Sequence, residues 1–414
     1  MKEYKFLVSN RNFVYLWTSQ ILSQLAINVM NFLLLTRLFS LTNSSIATSF
    51  LWVAYSLPAI LIGPFASAYV DMADRKRLLM ITNFLQFLVI LVYAFTFNFR
   101  VFLLYGVALA YSFLNQFYVP SEAASLPSLV NKSGLPFANG LFFLTQQFSL
   151  IVGFGFAGVL NQFFGFRNSL ILCSLFLFIA FVSVSYLPKM RVGKMKGGSF
   201  DKLIFDFFVR IKEGYDFIKA NNKVLFPFLL LLVMQIGLAI IVVNIPLVAS
   251  EILSVHYDKA GVMIIVPAGV GAALGAFLIP SLFKKKKVRK KKVVEISFVL
   301  MGLSFLLFSF LFVWVAGFWK VVVSSLLLVV LGLSFSGIIV SAQTFLQEVV
   351  PGGLRGRIFG NFWFLVTAAS IFPVIFSGAF TEFLGVRFLL LIIAASSFAA
   401  GVFLKEKGDD LIGG

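Results

Sequence analysis

The chain has 414 residues, of which 60% are hydrophobic and only 12% charged, with 53 Phe and a mean hydropathy of +1.00. That balance excludes a soluble globular domain of this length and points to a protein that lives in a bilayer. A net charge of +18 invites a nucleic-acid reading, but the placement of the charges argues against it.

In chain order, apolar runs fall at 13–39, 46–69, 79–98, 101–122, 137–160, 168–187, 225–249, 260–282, 295–316, 319–345, 358–380 and 388–404. Each approaches the ~20 residues that a helix needs to cross ~30 Å of hydrocarbon, so the sequence predicts twelve membrane helices. Runs such as "FLLLLVM" do not alternate as barrel strands do. With the N-terminus placed in the cytosol, cytosolic segments hold 28 of the 34 Lys and Arg. The opposite loops hold only Arg100, Arg167, Lys259, Lys320 and Arg387, and Arg37 lies in the first run. This positive-inside pattern predicts an integral protein of the plasma (inner) membrane with both termini cytosolic. Trp17, Trp52, Trp314, Trp319 and Trp363 all lie close to predicted helix ends, as an interfacial belt requires. The basic run "KKKKVRKKK" at 284–292 reads as a topology anchor that meets anionic membrane lipid, not as a nucleic-acid patch. The opening "MKEYKFLVSNRN" shows no small-residue cleavage site, so no signal peptide is predicted. The single Cys173, in the sixth run, allows no intrachain disulfide and predicts a buried thiol.

Polar residues 188–223 separate six runs from six. Within them Ile204, Phe207, Phe208, Ile211, Tyr215 and Ile218 recur at helical spacing between charged residues. That pattern predicts an amphipathic helix on the cytosolic face. The expected organisation is a six-helix bundle over 1–187, this linker over 188–223, and a second six-helix bundle over 224–414. At a fixed offset of 220, Val130 matches Val350, Gly140 Gly360, Gly158 Gly378, Gly165 Gly385 and Arg167 Arg387. Five matches in one register indicate an internal duplication. Duplicated transporters bind substrate at the midplane between their repeats and alternate access around it.

The stretch "GPFASAYVDMADRKRLLM" at 63–80 places five charges, Asp71, Asp74, Arg75, Lys76 and Arg77, between two apolar runs. Its core "SAYVDMADRK" resembles the G-x-x-x-D-[RK]-x-G-[RK]-[RK] loop of the major facilitator superfamily. Asp71 and the Arg75–Lys76 pair are in place, whereas Ser67 and Asp74 stand where that family has Gly and Met72 where it has a basic residue. Gly63, one turn before Ser67, is expected to supply the close packing instead. The segments "PSEAASLPSLVNKSGLPFANGLFF" and "QEVVPGGLRGRIFG" look similar to the macrolide and siderophore exporter branch of that superfamily. The resemblance implies an all-α fold of twelve transmembrane helices in two six-helix pseudo-repeats. It further implies that Asp71 docks on a helix N-terminus after "PGGLRG", where Arg355 and Arg357 lie. Glu122 is the expected partner of Arg75. Gly63, Asp71, Arg75, Lys76, Arg77, Glu122, Arg355 and Arg357 form the expected gating set, whose contacts would differ between two global states.

In the first run Gln20, Gln24, Asn28 and Asn31 stand at i, i+4, i+8 and i+11, one face of a helix. Amides turned to lipid cost several kcal/mol each when unsatisfied, so the row must face protein or water. The family resemblance makes the first, fourth, seventh and tenth helices line the path. These add Asn115, Gln116, Tyr118, Gln235, Asn244 and Gln343, and the fifth adds Gln146 and Gln147. Together they form the expected substrate-binding set, with aromatics such as Phe142, Phe143 and Trp363 as candidate apolar walls. The middle of the spans carries no charge: Arg37 is near an end, and His256 is in a loop beside Tyr257. The acidic residue of the first helix and the Arg of the fourth, usual in proton-coupled relatives, are absent. The antiporter signature of the fifth helix is degenerate, with Phe154 after Gly153 and Ala157–Gly158 in place of Gly–Gly. Asp71 and Glu122 remain as candidate proton carriers.

One His and one Cys far apart exclude a membrane enzyme built on a cluster of such residues, and no catalytic residue, cofactor or metal is expected. The expected partners are a small-molecule substrate and membrane lipid, with the chain acting as a monomer. The expected function is secondary active export, by alternating access, of a neutral or weakly cationic amphipathic molecule, with proton antiport as the coupling implied by the resemblance. The competing reading is a lipid or lysolipid flippase on the same fold.

Overall fold

The computed structural model describes residues 7–98, 100–131, 134–190, 200–285, 289–310 and 317–411. Among these residues every long element is a helix. In order they are α1 (Arg11–Thr42), α2 (Ser45–Leu61), α3 (Gly63–Met72), α4 (Arg75–Thr96), α5 (Phe102–Leu129), α6 (Leu135–Ser185) and α7 (Phe200–Ala220). After them come α8 (Asn222–Leu247), α9 (Val266–Lys285), α10 (Lys290–Phe310), α11 (Gly317–Val349), α12 (Gly352–Leu384) and α13 (Val386–Leu411).

Ten of the described helices are long and apolar enough to cross a membrane, and α2 with α3, bent by 49° at Ile62, make an eleventh. The 51 residues of α6 would reach roughly 75 Å at 1.5 Å per residue, far more than one bilayer crossing. Gly165, at φ 76° and ψ 164°, breaks it in two. With that break the helices account for the twelve apolar runs. Gly385, the offset-220 match of Gly165, separates α12 from α13 with nearly the same backbone, φ 81° and ψ 156°. Only glycine occupies this region without strain, so the same turn is specified twice by the same residue.

The chain divides into two compact units, residues 1–42 with 50–207 and residues 43–49 with 208–414. In the first, Phe13, Leu16, Leu79, Tyr118, Leu126 and Val184 form a buried cluster. In the second, Phe228, Val294, Phe298, Ile338, Phe345 and Leu404 do so. Helix α7 is the predicted amphipathic element. Phe205, Phe208 and Tyr215 are exposed, while Ile218 packs into the cluster of the second unit.

Lipid tails offer no hydrophobic gain for helix pairing, so close backbone packing and interhelical hydrogen bonds carry it. Helices α9 and α11 pack by the first route. A Cβ at Gly271 would overlap the Val329 backbone, one at Gly332 the backbone of Ala268, and one at Gly275 would lie 2.7 Å from Ser336 Cβ. Many hydroxyls are satisfied inside their own helix: Thr82 Oγ1 donates to the Leu78 carbonyl at 2.8 Å and Ser304 Oγ to that of Leu300 at 2.7 Å. Arg37 places its guanidinium over the rings of Phe97 and Phe166, at 5.6 and 5.5 Å. Cys173 is buried and unpaired.

Candidate functional site

The predicted row of amides on α1 divides. Gln20 is buried and its amide donates to the Phe142 carbonyl of α6 at 3.0 Å. Asn28, also buried, donates to the Gln24 carbonyl at 2.8 Å, and its Cβ stands where a Cβ on Gly153 of α6 would fall, 2.5 Å away. Gly153 is therefore a packing glycine, and Gln20 and Asn28 hold α1 to α6. Gln24 and Asn31 stay half-buried. Asn31 and Asn115 both engage the side chain of Tyr55 on α2, a residue that the sequence reading passed over. Beside them Ser112 donates to the Tyr55 carbonyl, and Gln116 donates to the Ser112 carbonyl at 3.1 Å. Two amides, a phenol and two further polar side chains from three helices thus gather in the first unit without any charged group.

A second polar cluster lies deeper in the same unit. Asn83 of α4 donates to Ser19 Oγ and accepts from Ser23 Oγ, each at 3.1 Å. Ser19 lies 3.4 Å from the Tyr118 hydroxyl, which donates to Glu122 Oε1 at 2.7 Å. All five are buried, and Glu122 is the one acid among the described buried side chains. Gln86, one turn along α4 and fully buried, leaves both amide atoms without a partner. Tyr118 thus belongs to this internal network rather than to the uncharged cluster around Tyr55.

In the second unit Asn244 donates to Ser377 Oγ at 3.2 Å and accepts from Thr381 Oγ1 at 2.9 Å, clamping α8 to α12. With its remaining N–H on the Ile240 carbonyl, its amide is engaged in packing. Gln235 and Gln343 are half-buried, whereas Gln146 and Gln147 are exposed.

The expected ion pair of Arg75 with Glu122 does not form. Arg75, at the start of α4, donates to the Ala124 carbonyl at 2.6 Å and contacts Ser128 Oγ at 3.4 Å. Ala124 is only two residues beyond Glu122, but two residues are about 200° around a helix, so Glu122 lies on nearly the opposite face of α5, where it accepts from the Tyr118 hydroxyl. Asp74, which departs from the family pattern, caps α4 by accepting from the Lys76 and Arg77 amides at 3.0 and 3.4 Å. Gly63 is no close-packing glycine either: a Cβ there would meet Gln116 at 3.7 Å, an ordinary contact. Its place at the bend between α2 and α3, before Pro64, explains it better. Lys76 is half-buried and Arg77 exposed. The side chains of Asp71, Arg355 and Arg357, and Trp314, lie outside the described residues.

A family model described as Major Facilitator Superfamily matches residues 16–373. The chain belongs to the major facilitator superfamily. Members of this superfamily are secondary transporters, carriers rather than enzymes. A curated relative, the uncharacterized MFS-type transporter YjbB of Bacillus subtilis (strain 168), is 26% identical over 156 residues, 37% of this chain and 38% of the relative. Among solved structures, a point mutant of the nucleoside transporter NupG superposes with a TM-score of 0.72 at 16% identity, covering 95% of this chain and 99% of that one. The POT family transporter PepTSo gives 0.69 at 12% identity, covering 97% and 98%. At these identities the likeness shows the superfamily fold and no more.

Proposed function

We propose that this facilitator exports neutral or weakly cationic amphipathic small molecules, recognised in the first unit by Gln24, Asn31, Tyr55, Asn115 and Gln116. The observation that carries the reading is the uncharged, half-buried cluster around Tyr55. Amides and a phenol orient a moderately apolar molecule by one or two hydrogen bonds. They offer little to offset desolvation of a phosphate or carboxylate, several kcal/mol for an unpaired ion. The stretches quoted above support the drug and siderophore exporter branch. Glu122, buried on Tyr118, is the group we assign to proton coupling.

A panel screen by thermal stabilisation identifies a ligand, because only compounds that bind the folded state raise its apparent stability. Asn31→Leu or Asn115→Leu is expected to weaken the best ligand by about 1–3 kcal/mol, the cost of a buried polar group left unpaired. Normal affinity in both variants, or a dianion as best ligand, overturns the assignment. In proteoliposomes Glu122→Gln should abolish stimulation by a pH gradient while substrate exchange continues; retained stimulation removes Glu122 from the mechanism.

The topology carries its own test. Lys219, exposed near the end of α7, is changed to Cys in a Cys173→Ser background. An impermeant maleimide should label it only after the membrane is opened. Labelling of intact cells places this face outside and reverses the proposed orientation.

A further inference from the structure

The second unit carries a groove of about 610 Å3 that the transport reading does not use. Its walls are Ile279 and Leu282 of α9, Val293, Ile296 and Leu300 of α10, and Leu333 of α11. Arg289 and Lys292, at the start of α10, complete it, together with Ser297 one to two turns further along α10. The groove therefore has cations grouped at one end and apolar side chains along the rest.

We infer that this groove is a binding site for one anionic phospholipid, its headgroup on Arg289 and Lys292 and an acyl chain along α10. Charge complementarity selects the occupant. Residues 284–292 include eight Lys or Arg. Of these, Arg289 and Lys292 line the groove. Lys292 is exposed at the groove mouth. The start of α10 adds the positive end of a 21-residue helix dipole, which favours a phosphate at the same place. Below the mouth a hydrocarbon tail fits and a soluble anion does not, since the lining has little with which to hydrogen-bond. The glycine contacts that join α9 to α11 keep two of the three walls fixed, so the groove is preformed and an occupant need not order it.

The test uses the full chain, stripped of lipid in detergent. Phosphatidylglycerol and phosphatidylcholine with identical acyl chains are compared by native mass spectrometry and thermal stability. One tightly held phosphatidylglycerol and a higher Tm are expected, with no such effect from phosphatidylcholine. Arg289→Ala with Lys292→Ala should weaken retention by about thirtyfold, the worth of two basic contacts with an anionic headgroup. Ile296→Trp fills the groove at an exposed position and leaves both cations in place; it should also abolish the tight copy. Equal retention of the two lipids overturns the inference. So does full retention in Ile296→Trp, which would mean a diffuse basic surface, or equal binding of glycerol phosphate, which would mean a site for charge alone. Displacement of the lipid by a transported compound at stabilising concentrations would make the groove a substrate site and would overturn it as well.

Discussion

Gly332→Val should leave almost no folded protein after detergent extraction. The Cα of Gly332 lies so close to the backbone of α9 that a Cβ would overlap Ala268, and Gly271 makes the reciprocal approach to Val329 from the other helix. No rotamer relieves a clash between a Cβ and a main chain, so α9 and α11 must separate. Overpacking of side chains typically costs about 1–3 kcal/mol; a backbone overlap at the closest point of a helix pair should exceed that. Gly106→Ala and Gly237→Ala are the matched controls, because a Cβ at either meets nothing within 4 Å. There alanine should be neutral or stabilise by up to about 1 kcal/mol through helix propensity. Fluorescence-detected size-exclusion chromatography after a heating series measures all three. A monodisperse Gly332→Val protein of normal Tm would show that the two helices are not in backbone contact.

Asn83→Leu is expected to destabilise the first unit by about 2–3 kcal/mol, whereas Thr82→Val, the neighbouring change on the same helix, should cost under about 1 kcal/mol. The two side chains are equally buried, 0% and 3% exposed, and differ in where their hydrogen bonds go. Thr82 bonds within α4, to the carbonyls of Leu78 and Leu79, and valine keeps its shape and leaves those carbonyls in the helical ladder. Asn83 serves Ser19 and Ser23 on α1, so leucine strands buried polar groups of another helix. Combining Asn83→Leu with Ser23→Ala should cost less than the sum of the two, because the pair shares one hydrogen bond. Strict additivity would show that the bond between them contributes nothing.

The contrast between Thr82 and Asn83 also explains what the sequence could and could not reveal. Span number and the pairing of Gly165 with Gly385 follow from hydropathy, charge placement and a glycine repeated at a fixed offset. These are properties of single helices or of the chain as a string. Periodicity puts Gln20, Gln24, Asn28 and Asn31 on one face, but it does not say which neighbour covers that face. Here α6 takes Gln20 and Asn28 and leaves Gln24 and Asn31 half-buried. Tyr55 was missed because one tyrosine in an apolar run carries no pattern. Asn83 and Gln86 did carry one: two amides a turn apart in a membrane span demand partners wherever the span lies. The Arg75 and Glu122 pairing was drawn from charge and family pattern, and the face of α5 on which Glu122 lies, turned to Tyr118, decided against it.

Asn244 has a consequence for how the protein is made. Its interhelical partners, Ser377 and Thr381, lie 133 and 137 residues further along the chain. Asn83, by contrast, finds its partners on α1, already synthesised when α4 emerges. At about 5–20 residues per second the segment containing Asn244 waits roughly 7–30 s for α12. During that interval the side chain's carbonyl oxygen and second N–H have no native partner in hydrocarbon. The second bundle therefore spends part of its biogenesis in need of a polar shelter for α8, and an insertase holding α8 until α12 arrives is the natural place to find one.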